Sequence, residues 1–194
     1  METQKIKTAV VILNWNGKSW LEKFLPNVIQ YSNDAEIIIA DNNSSDDSVK
    51  FLEENYPNIR IIQNDGNYGY AKGYNLALKQ IDAQYFVLLN SDIEVTKDWI
   101  SPIISLMDSD KTISTCQPKI LDYNNKNRFE YAGASGGYID KFGYPFCRGR
   151  IFDFLEEDKG QYNDATEVFW ATGACLFVRA SHFWEVGGLD NDFF

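Results

Sequence analysis

The sequence predicts an α/β fold whose central sheet is mostly parallel, with helices on both faces. Three observations support this prediction. Continuous apolar runs rich in β-branched residues, typical of buried parallel strands, alternate with segments of helical periodicity in the first half of the chain. The spacing between successive runs fits βαβ units. Each run ends in a polar turn, and these turns should open onto the carboxyl edge of one sheet, where such folds bind ligands.

The elements of the first half follow from this alternation. The predicted strands cover residues 7–13, 36–40, 59–62 and 85–89. The predicted helices cover 20–29, a short segment through Phe51 and Leu52, and 70–81, each with apolar residues at helical spacing. Pro26 lies inside the first helix, and the sequence leaves open whether it kinks or divides that helix.

The second half has a different character. A helix is predicted over 99–107, with Thr96 as its N-cap. Beyond it the strands are shorter and the connections longer, and 153–164 is expected to be an acidic surface loop. A last short helix over 182–186 is predicted to begin at the N-cap Ser181 and to end at a pair of glycines.

Composition excludes several classes of function. The chain has 18 Lys and Arg residues against 28 Asp and Glu residues, a net charge of −10. This balance argues against nucleic acid as a partner, because neutralising phosphates needs clustered basic residues, and against an anionic membrane surface. An anionic ligand would therefore need a bound cation.

Targeting signals and residues for other chemistries are scarce. Three widely separated cysteines and a single histidine argue against a disulfide framework, a zinc site or a His-based triad. We find no signal-peptide pattern and no apolar run of about 18 residues, the length of a membrane helix. Together these features fit a reducing cytoplasm.

The segment Asn90-Ser-Asp92 directly follows the strand predicted over 85–89. A carboxylate at the mouth of a parallel sheet suits a hard cation, and Mg²⁺ prefers one or two protein carboxylates together with substrate phosphates and water. Asp92 is the predicted ligand, while Asn90 can offer only an amide oxygen. The alternative is an ordinary turn in which Asp92 caps the next helix.

The segment Asn64–Asn75 runs from a strand end into a helix and is rich in glycine. Gly69 and Gly73 are four residues apart, so the segment is neither the dinucleotide fingerprint nor a P-loop. A helix N-terminus offers backbone N–H groups and a dipole to an anion, and Lys72 could add charge. The alternative is a turn whose small residues pack on the sheet.

Acidic residues and the histidine are further candidates. Asp41 follows the second strand, where doubly wound folds place a carboxylate that contacts a ribose or base. We expect Asp41→Ala to weaken nucleotide binding while leaving the fold intact. Asp190 and Asp192 follow the glycine pair, and either could be a base or an ordinary loop residue. His182 is interpreted as structural.

Taken together, these segments resemble family 2 glycosyltransferases of the GT-A fold, most closely the bacterial rhamnosyltransferase-like branch. The matching segments, in the order of the family, are Val10–Gly17, Asp41–Asp46, Asn67–Asn75, Leu89–Asp92, Gly173–Arg179 and Gly187–Phe194. The resemblance covers essentially the whole chain and implies one GT-A domain over 1–194. Residues 1–95 would form its nucleotide-binding half and 96–194 its acceptor-side half.

The resemblance implies an inverting enzyme that moves a sugar from a nucleotide-diphosphate donor to a hydroxyl of a saccharide or lipid-linked acceptor, in cell-surface polysaccharide synthesis. A dTDP-rhamnose-like donor is the first choice, ahead of UDP- and GDP-sugars. The implied cofactor is Mg²⁺ or Mn²⁺, held by Asp92, with Asn90 in place of the first aspartate of the D-x-D motif. The implied donor-site residues are Asn14, Asp41, Asn43, Asn67, Gly69, Lys72, Asn75 and Ser91. The implied setting is the cytoplasmic face of the membrane, with peripheral association of the full-length protein.

The catalytic base is the part of the family pattern that this chain does not complete. In the family, the Gly-Gly-x-Asp-x-x-Phe-Phe segment leads within a few residues to a Glu-Asp pair that supplies the base, and this chain stops at Phe194. Asp190 is the only matched carboxylate nearby and thus the catalytic candidate within the chain, with the main base expected beyond it. We expect a truncated product that binds donor but transfers little, with an unsupported segment from Asp190 onward.

Two other functions stay open at this point. A sugar-phosphate nucleotidylyltransferase also combines a parallel sheet with a metal, but it needs a basic, glycine-rich loop after the first strand. Residues 14–17 contain no Arg or Lys. A non-catalytic carbohydrate- or nucleotide-binding module, with the tryptophans as sugar platforms, is the other alternative, and sugar transfer by a longer chain would exclude it.

Overall fold

The computed structural model describes residues 6–193. Strands and helices alternate in its first half as β1 (Ile6–Asn14), α1 (Lys18–Tyr31), β2 (Glu36–Asp41), α2 (Ser48–Asn55), β3 (Arg60–Gln63), α3 (Gly69–Leu78), β4 (Ala83–Asn90) and α4 (Ser101–Ser109). The second half adds β5 (Thr115–Cys116), β6 (Gly137–Ile139), β7 (Pro145–Cys147), β8 (Arg150–Ile151), β9 (Phe154–Leu155), β10 (Cys175–Arg179) and α5 (Ala180–Glu185).

The central sheet has the strand order β3-β2-β1-β4-β10-β5. Strands β1 to β4 are parallel to their neighbours, whereas β10 runs antiparallel to both β4 and β5. Strands β6 to β9 form a separate small antiparallel sheet between β5 and β10 in the chain. The predicted α/β fold with a mostly parallel central sheet is confirmed.

Helices cover both faces of the central sheet because successive strand residues point to opposite sides. On one face Val10 and Ile12 of β1 pack with the apolar sides of α1, α2 and α4. On the other face Ala9 and Val11 pack with α3 and α5. These four side chains are at most 1% exposed, which explains why β1 is a continuous apolar run in the sequence.

The predictions about helix ends were partly wrong. Helix α1 runs through Pro26 without interruption, and Pro26 is exposed, so water can satisfy the carbonyl that loses its helical donor. Thr96 does not cap α4, which begins after Ile100, and Ser181 does not cap α5, which follows β10 directly. Neither helix has a capping hydrogen bond from a side chain at its N-cap residue, so packing rather than capping fixes where they begin.

The acidic segment 153–164 is more structured than the surface loop predicted for it. It contains strand β9, which pairs with β8. Two ion pairs fasten the rest: Lys119 Nζ lies 2.5 Å from Asp158 Oδ2, and Arg148 Nη1 lies 3.1 Å from Asp164 Oδ2. The acidic residues of this segment are thus partly neutralised by basic residues from other parts of the second half.

A buried arginine fastens the end of the sheet opposite to the carboxyl edge. Arg179, 6% exposed, donates to the Met107 carbonyl at 2.6 Å and to the Tyr85 hydroxyl at 2.9 Å. The Tyr85 hydroxyl donates in turn to Asp108 at 2.7 Å, and Lys7 Nζ lies 2.9 Å from the same carboxylate. The hydrogen bond from Tyr85, followed by the one from Lys7, lowers the pKa of Asp108 to about 2.

This pKa gives a prediction for acid stability. Because the pKa of Asp108 is lower in the folded chain, its stabilising contribution is present above its ordinary pKa of about 4 and is lost as the pH falls towards 2. We expect Asp108→Asn to lower the free energy of unfolding at neutral pH and to weaken its fall below about pH 4. Urea unfolding across that range measures both effects.

Asp98→Asn is the matched control, because Asp98 is exposed and has no hydrogen-bond or ion-pair partner among the described residues. It should keep the acid profile of the natural chain. An unchanged acid profile in Asp108→Asn would contradict the assignment.

Candidate active site

The carboxyl ends of the parallel strands meet at one edge of the sheet, as the turns predicted. Asn14 at the end of β1 is in register with Asp41 at the end of β2, and Asp41 is in register with Gln63 of β3. On the other side of β1, Asn90 ends β4 beside Leu13. The polar turns that follow these residues therefore form one continuous surface, which we call the carboxyl edge.

Asp41 is a buried acceptor within this edge. Only 2% of the residue is exposed, and its Oδ1 accepts from Asn14 Nδ2 at 2.9 Å and from the Ser44 hydroxyl at 2.6 Å. Its Oδ2 accepts from the Ser44 backbone N–H at 2.9 Å. The carboxylate thus joins the ends of β1 and β2, and the direct nucleotide contact expected from the sequence stays a prediction.

Asn14 is held from one side only. Its amide nitrogen donates to Asp41 and, at 3.1 Å, to the Ser44 hydroxyl, whereas its buried Oδ1 has no hydrogen-bond partner within residues 6–193. The residue is 1% exposed. Asn14 thus belongs to the scaffold on which the edge is built, and its predicted contact with the donor stays a prediction.

The turn after β1 presents an exposed tryptophan. Asn16 adopts φ +51° and its Oδ1 accepts from the backbone N–H groups of Ser45, at 2.7 Å, and Asp46, at 3.1 Å. With Asn14 and Asn16 both fixed, Trp15 lies between two anchored residues, yet 55% of it is exposed. Sequence reasoning missed Trp15 as a site residue, although a tryptophan between two turn-forming asparagines at a strand end was a usable signal.

Two asparagines attach helix α3 to the strand ends. Asn64 Nδ2 donates to Asn42 Oδ1 at 2.8 Å and to the Gly73 carbonyl at 3.2 Å. Asn42 Nδ2 donates to the Gly69 carbonyl at 2.9 Å. A Cβ on Gly73 would lie 2.7 Å from Asn42 Nδ2, so this contact requires glycine. Neither Asn42 nor Asn64 was among the predicted site residues.

Four more of the residues predicted for the donor site divide into two groups. Asn67 and Gly69 build the turn, since Asn67 Oδ1 accepts from the Gly69 backbone N–H at 3.1 Å. Lys72 and Asn43 are exposed. The ammonium group of Lys72 lies 4.1 Å from the ring centroid of Tyr68, so it stays on the first turns of α3, where a charge could reach an anion at the edge.

The turn after β4 contains the most available carboxylate. Asp92 is exposed and no hydrogen bond or ion pair engages it among the described residues, while Asn90 and Ser91 are partly buried. The Asn90 backbone N–H donates to the Ala174 carbonyl at 2.9 Å, which ties this turn to the approach of β10. Within residues 6–193 we find no group of three or more His, Cys, Asp or Glu side chains arranged for a metal.

Asn75 on α3 contacts the segment that follows Gly188. The residue is 4% exposed, and its Nδ2 donates to the Leu189 carbonyl at 2.7 Å and to Asn191 Oδ1 at 2.8 Å. Its Oδ1 accepts from the Leu189 backbone N–H at 3.0 Å. The place of Asn75 in the donor site stays a prediction, and the expectation of an unsupported segment from Asp190 onward is wrong as far as Asn191, because these bonds hold Leu189 and Asn191 to α3.

Asp190 is exposed, and its Oδ1 accepts from the Asp192 backbone N–H at 3.0 Å. Phe193 is 71% exposed and so does not dock into the core, and Phe194 lies outside the described residues. His182 lies near the opposite end of the sheet, with its Nδ1 2.8 Å from the Ser114 hydroxyl, in keeping with a structural histidine.

Comparison with solved structures identifies the class of fold. The mannosyltransferase PcManGT from Pyrobaculum calidifontis, in complex with GDP-Man and Mn²⁺, superposes with a TM-score of 0.64 over 98% of this chain and 49% of its own, at 13% identity. GalNAc-T7, with UDP, GalNAc and Mn²⁺, superposes with a TM-score of 0.69 over 98% of this chain and 38% of its own, at 19% identity. The fold is the GT-A fold of glycosyltransferases.

Sequence comparison then gives the family. The model of the family described as Glycosyl transferase family 2 matches residues 9–187. The chain therefore belongs to glycosyl transferase family 2, as its motifs predicted. This membership favours a glycosyltransferase over a nucleotidylyltransferase.

Two curated relatives extend this comparison. N-acetylglucosaminyl-diphospho-decaprenol L-rhamnosyltransferase of Mycobacterium tuberculosis is 24% identical over 95% of this chain and 65% of its own. The low-salt glycan biosynthesis hexosyltransferase Agl10 of Haloferax volcanii is 23% identical over 96% of this chain and 57% of its own. The chain thus spans less than two thirds of the length of either relative.

The buried position of Asp41 predicts a stability effect that the sequence did not. Asp41→Ala leaves an amide, a hydroxyl and a backbone N–H without their acceptor, and an unsatisfied buried donor costs about 1–3 kcal/mol. We expect the free energy of unfolding to fall by about 2 kcal/mol or more on this basis. Urea denaturation measures this change.

Asp47→Ala is the control for Asp41→Ala. Asp47 belongs to the same turn and is the N-cap residue of α2, but its exposed carboxylate makes no capping hydrogen bond and has no side-chain partner among the described residues. Its removal should change the free energy of unfolding by less than about 0.5 kcal/mol. Equal stabilities of the two variants would contradict the scaffold role of Asp41.

Proposed function

We propose that the protein transfers a sugar, with inversion at the anomeric carbon, from a nucleotide-diphosphate donor to a hydroxyl of a saccharide or lipid-linked acceptor. The observation that carries the proposal is the carboxyl edge, where four polar turns follow the ends of adjacent strands and one of them carries the available carboxylate Asp92, in a chain of glycosyl transferase family 2. A dTDP-rhamnose-like donor is the first choice, supported by the relative named as an L-rhamnosyltransferase. UDP- and GDP-sugars follow, because the solved neighbours hold UDP and GDP-Man.

The nucleoside is placed against the turns after β1 and β2. Trp15 offers a large exposed indole face there, suited to stacking on a base. Asp41 supports this surface from below through Asn14 and Ser44, since its own carboxylate is buried. The diphosphate would then lie towards β4 and the first turns of α3, where Lys72 is exposed.

The residues at the end of β4 fit a divalent cation that retains water and phosphate ligands. Asp92 supplies one free carboxylate, and Asn90 supplies an amide oxygen, a donor set suited to Mg²⁺ or Mn²⁺ shared with a diphosphate. The small number of protein ligands leaves most coordination positions to the substrate. When bound, the cation would offset the charge that develops on the departing diphosphate.

The chemistry proposed for this edge is an in-line displacement. The acceptor oxygen bonds to the anomeric carbon, the bond from that carbon to the diphosphate oxygen breaks, and a carboxylate takes the proton of the acceptor hydroxyl. Asp92 would lie on the diphosphate side, so the base must come from elsewhere. Asp190 is the candidate within this chain, and we propose that the main base follows shortly after its segment, as the resemblance to the family implies.

The two halves of the chain would divide the work. Residues 1–95 contain all four turns of the carboxyl edge and would bind the nucleotide. Residues 96–194 contain the small sheet and the segment with Asp190, and would face the acceptor. None of the helices within residues 6–193 combines the length and apolar character needed to cross a bilayer. We propose that the full-length protein acts at the cytoplasmic face of the membrane through peripheral association, since a lipid-linked acceptor would be held there.

Metal dependence is the first test of this function. Titration calorimetry with dTDP, UDP and GDP should show binding with Mn²⁺ that EDTA abolishes. Asp92→Ala should weaken binding at least tenfold, because a hydrogen bond or ligand from a charged group is worth about 1.5–3 kcal/mol, while the fold should be retained because Asp92 is exposed.

Glu94→Ala serves as the control, since Glu94 is an exposed carboxylate two residues further on that pairs with Lys126. Its nucleotide affinity should match that of the natural chain. Equal nucleotide affinity with and without EDTA would rule out the proposed role of the metal.

Chain length provides the second test. We expect the 194-residue chain to bind donor but transfer little sugar, and a form extended by a few tens of residues to be active, because general-base assistance is worth about 10²–10⁴-fold in rate. Both forms are assayed with the same donor and acceptor. Comparable turnover would show that the base lies within residues 1–194 and would make Asp190 the leading candidate, whereas no turnover by either form would favour a binding module.

A further inference from the structure

We propose that Asn75 is a positioning residue for the transfer reaction, and that it acts by holding the segment 187–191, which carries Asp190, against helix α3. This inference rests on the proposed function. It replaces the donor contact that the sequence suggested for Asn75.

The hydrogen bonds of Asn75 define this role. Both contacts of its Nδ2, to the Leu189 carbonyl and to Asn191 Oδ1, and the contact of its Oδ1 with the Leu189 N–H cross between segments 114 and 116 residues apart in the chain. They bracket Asp190 on both sides. Because Asn75 is 4% exposed and both amide hydrogens have partners, little of it is left to contact a donor.

Gly188 makes this close approach feasible. A Cβ at Gly188 would lie 2.6 Å from Asn75 Oδ1, in a backbone conformation with φ +84°. The neighbouring Gly187 has nearly the same φ, +89°, but a Cβ there would meet nothing within 4 Å. Both positions need a residue that tolerates a positive φ, but only at Gly188 would a side chain also collide with Asn75.

Helix α3 connects this contact to the donor edge. Its first turns are attached to the strand ends by Asn42 and Asn64, as described above. Further along, the Tyr74 hydroxyl is buried against β1 and β4 and lies 3.2 Å from the Leu89 carbonyl. Asn75 is the next residue, so the segment with Asp190 is fixed to an element whose position relative to the edge is itself fixed.

Loss of this attachment should affect turnover rather than donor binding. The carboxyl edge keeps its own hydrogen bonds when Asn75 is changed, since none of them involves this side chain. Asp190 and the residues after it would no longer be held relative to α3. A displacement of about 1 Å in catalytic geometry can cost about 10²-fold in rate.

The experiment compares Asn75→Ala and Asn75→Asp with the natural sequence in the longest natural form of the protein. Asn75→Asp keeps an acceptor for the Leu189 N–H but removes both donors. Turnover is followed as nucleoside diphosphate released from dTDP-rhamnose, UDP-sugars and GDP-mannose, with water taking the sugar, so that no other acceptor need be known. We expect kcat to fall about 10- to 100-fold, with the Kd of the matching nucleoside diphosphate and Mn²⁺ changed by less than about twofold.

The matched pair Gly188→Ala and Gly187→Ala isolates the contact from the strain of a positive φ. Both variants carry the backbone cost of replacing glycine, but only Gly188→Ala pushes against Asn75. We expect the fall in kcat to be several-fold larger for Gly188→Ala. Hydrogen exchange of the Leu189 amide should accelerate in Gly188→Ala and Asn75→Ala, which disturb or remove its acceptor, and not in Gly187→Ala.

The outcomes separate this inference from the proposed function. If the natural protein binds none of the three nucleotides with Mn²⁺, or releases none from its donor, the proposed function fails and this inference fails with it. If it binds and releases nucleotide while the Asn75 variants retain natural kcat, only the role of Asn75 is overturned. An equal loss of nucleotide affinity and kcat in these variants would also overturn it, since that pattern indicates a donor contact or general unfolding.

Discussion

The close seating of helix α3 on the strand ends is the constraint on which the rest of the candidate site depends. Asn42 and Asn64 bond to carbonyls of the helix, and Gly73 has no side chain to hold the helix away. Amide side chains can donate and accept at once, so two of them link two strand turns and a helix without leaving a charge in a buried position. This arrangement fixes the position of Lys72 on α3. It also fixes the segment 187–191, which Asn75 holds against the same helix.

The polar residues of the carboxyl edge serve two separate purposes. Buried ones, chiefly Asp41 and Asn14, bond to one another through the Asn14 Nδ2 and the Asp41 carboxylate, and Asp41 also bonds to the backbone, which fixes the shape of the turns. Exposed ones, chiefly Trp15, Lys72 and Asp92, have few bonds to the rest of the protein and are free for a ligand. A buried carboxylate needs several donors to be tolerated, and those donors are then unavailable to a substrate.

This division explains which parts of the site could be predicted from the sequence. The strands were predictable because burial on both faces requires continuous apolar runs such as residues 9–12, and the location of the edge followed from where those runs end. The family was predictable from the order of its motifs. The sequence could not show whether a polar residue of a motif is buried in the scaffold or exposed at the edge, because Asp41 and Asp92 look equivalent in sequence.

Long-range contacts account for the remaining errors. Asn75 lies in a segment that otherwise builds the edge, and its partners Leu189 and Asn191 are more than a hundred residues away, so neither spacing nor periodicity could indicate them. The same applies to the N-terminus of α5, where tertiary packing and not a capping serine sets the boundary.

Net charge, by contrast, is visible in the sequence but acts locally. Salt screens charges beyond about 8 Å, so a diphosphate at the edge would sense mainly Asp92 and Lys72 rather than the total of −10. Asp92 alone would repel the diphosphate. In the proposed function a divalent cation binds both Asp92 and the diphosphate, so the attraction of each to the cation replaces the repulsion between them. The exposed carboxylate is then required for binding the anion.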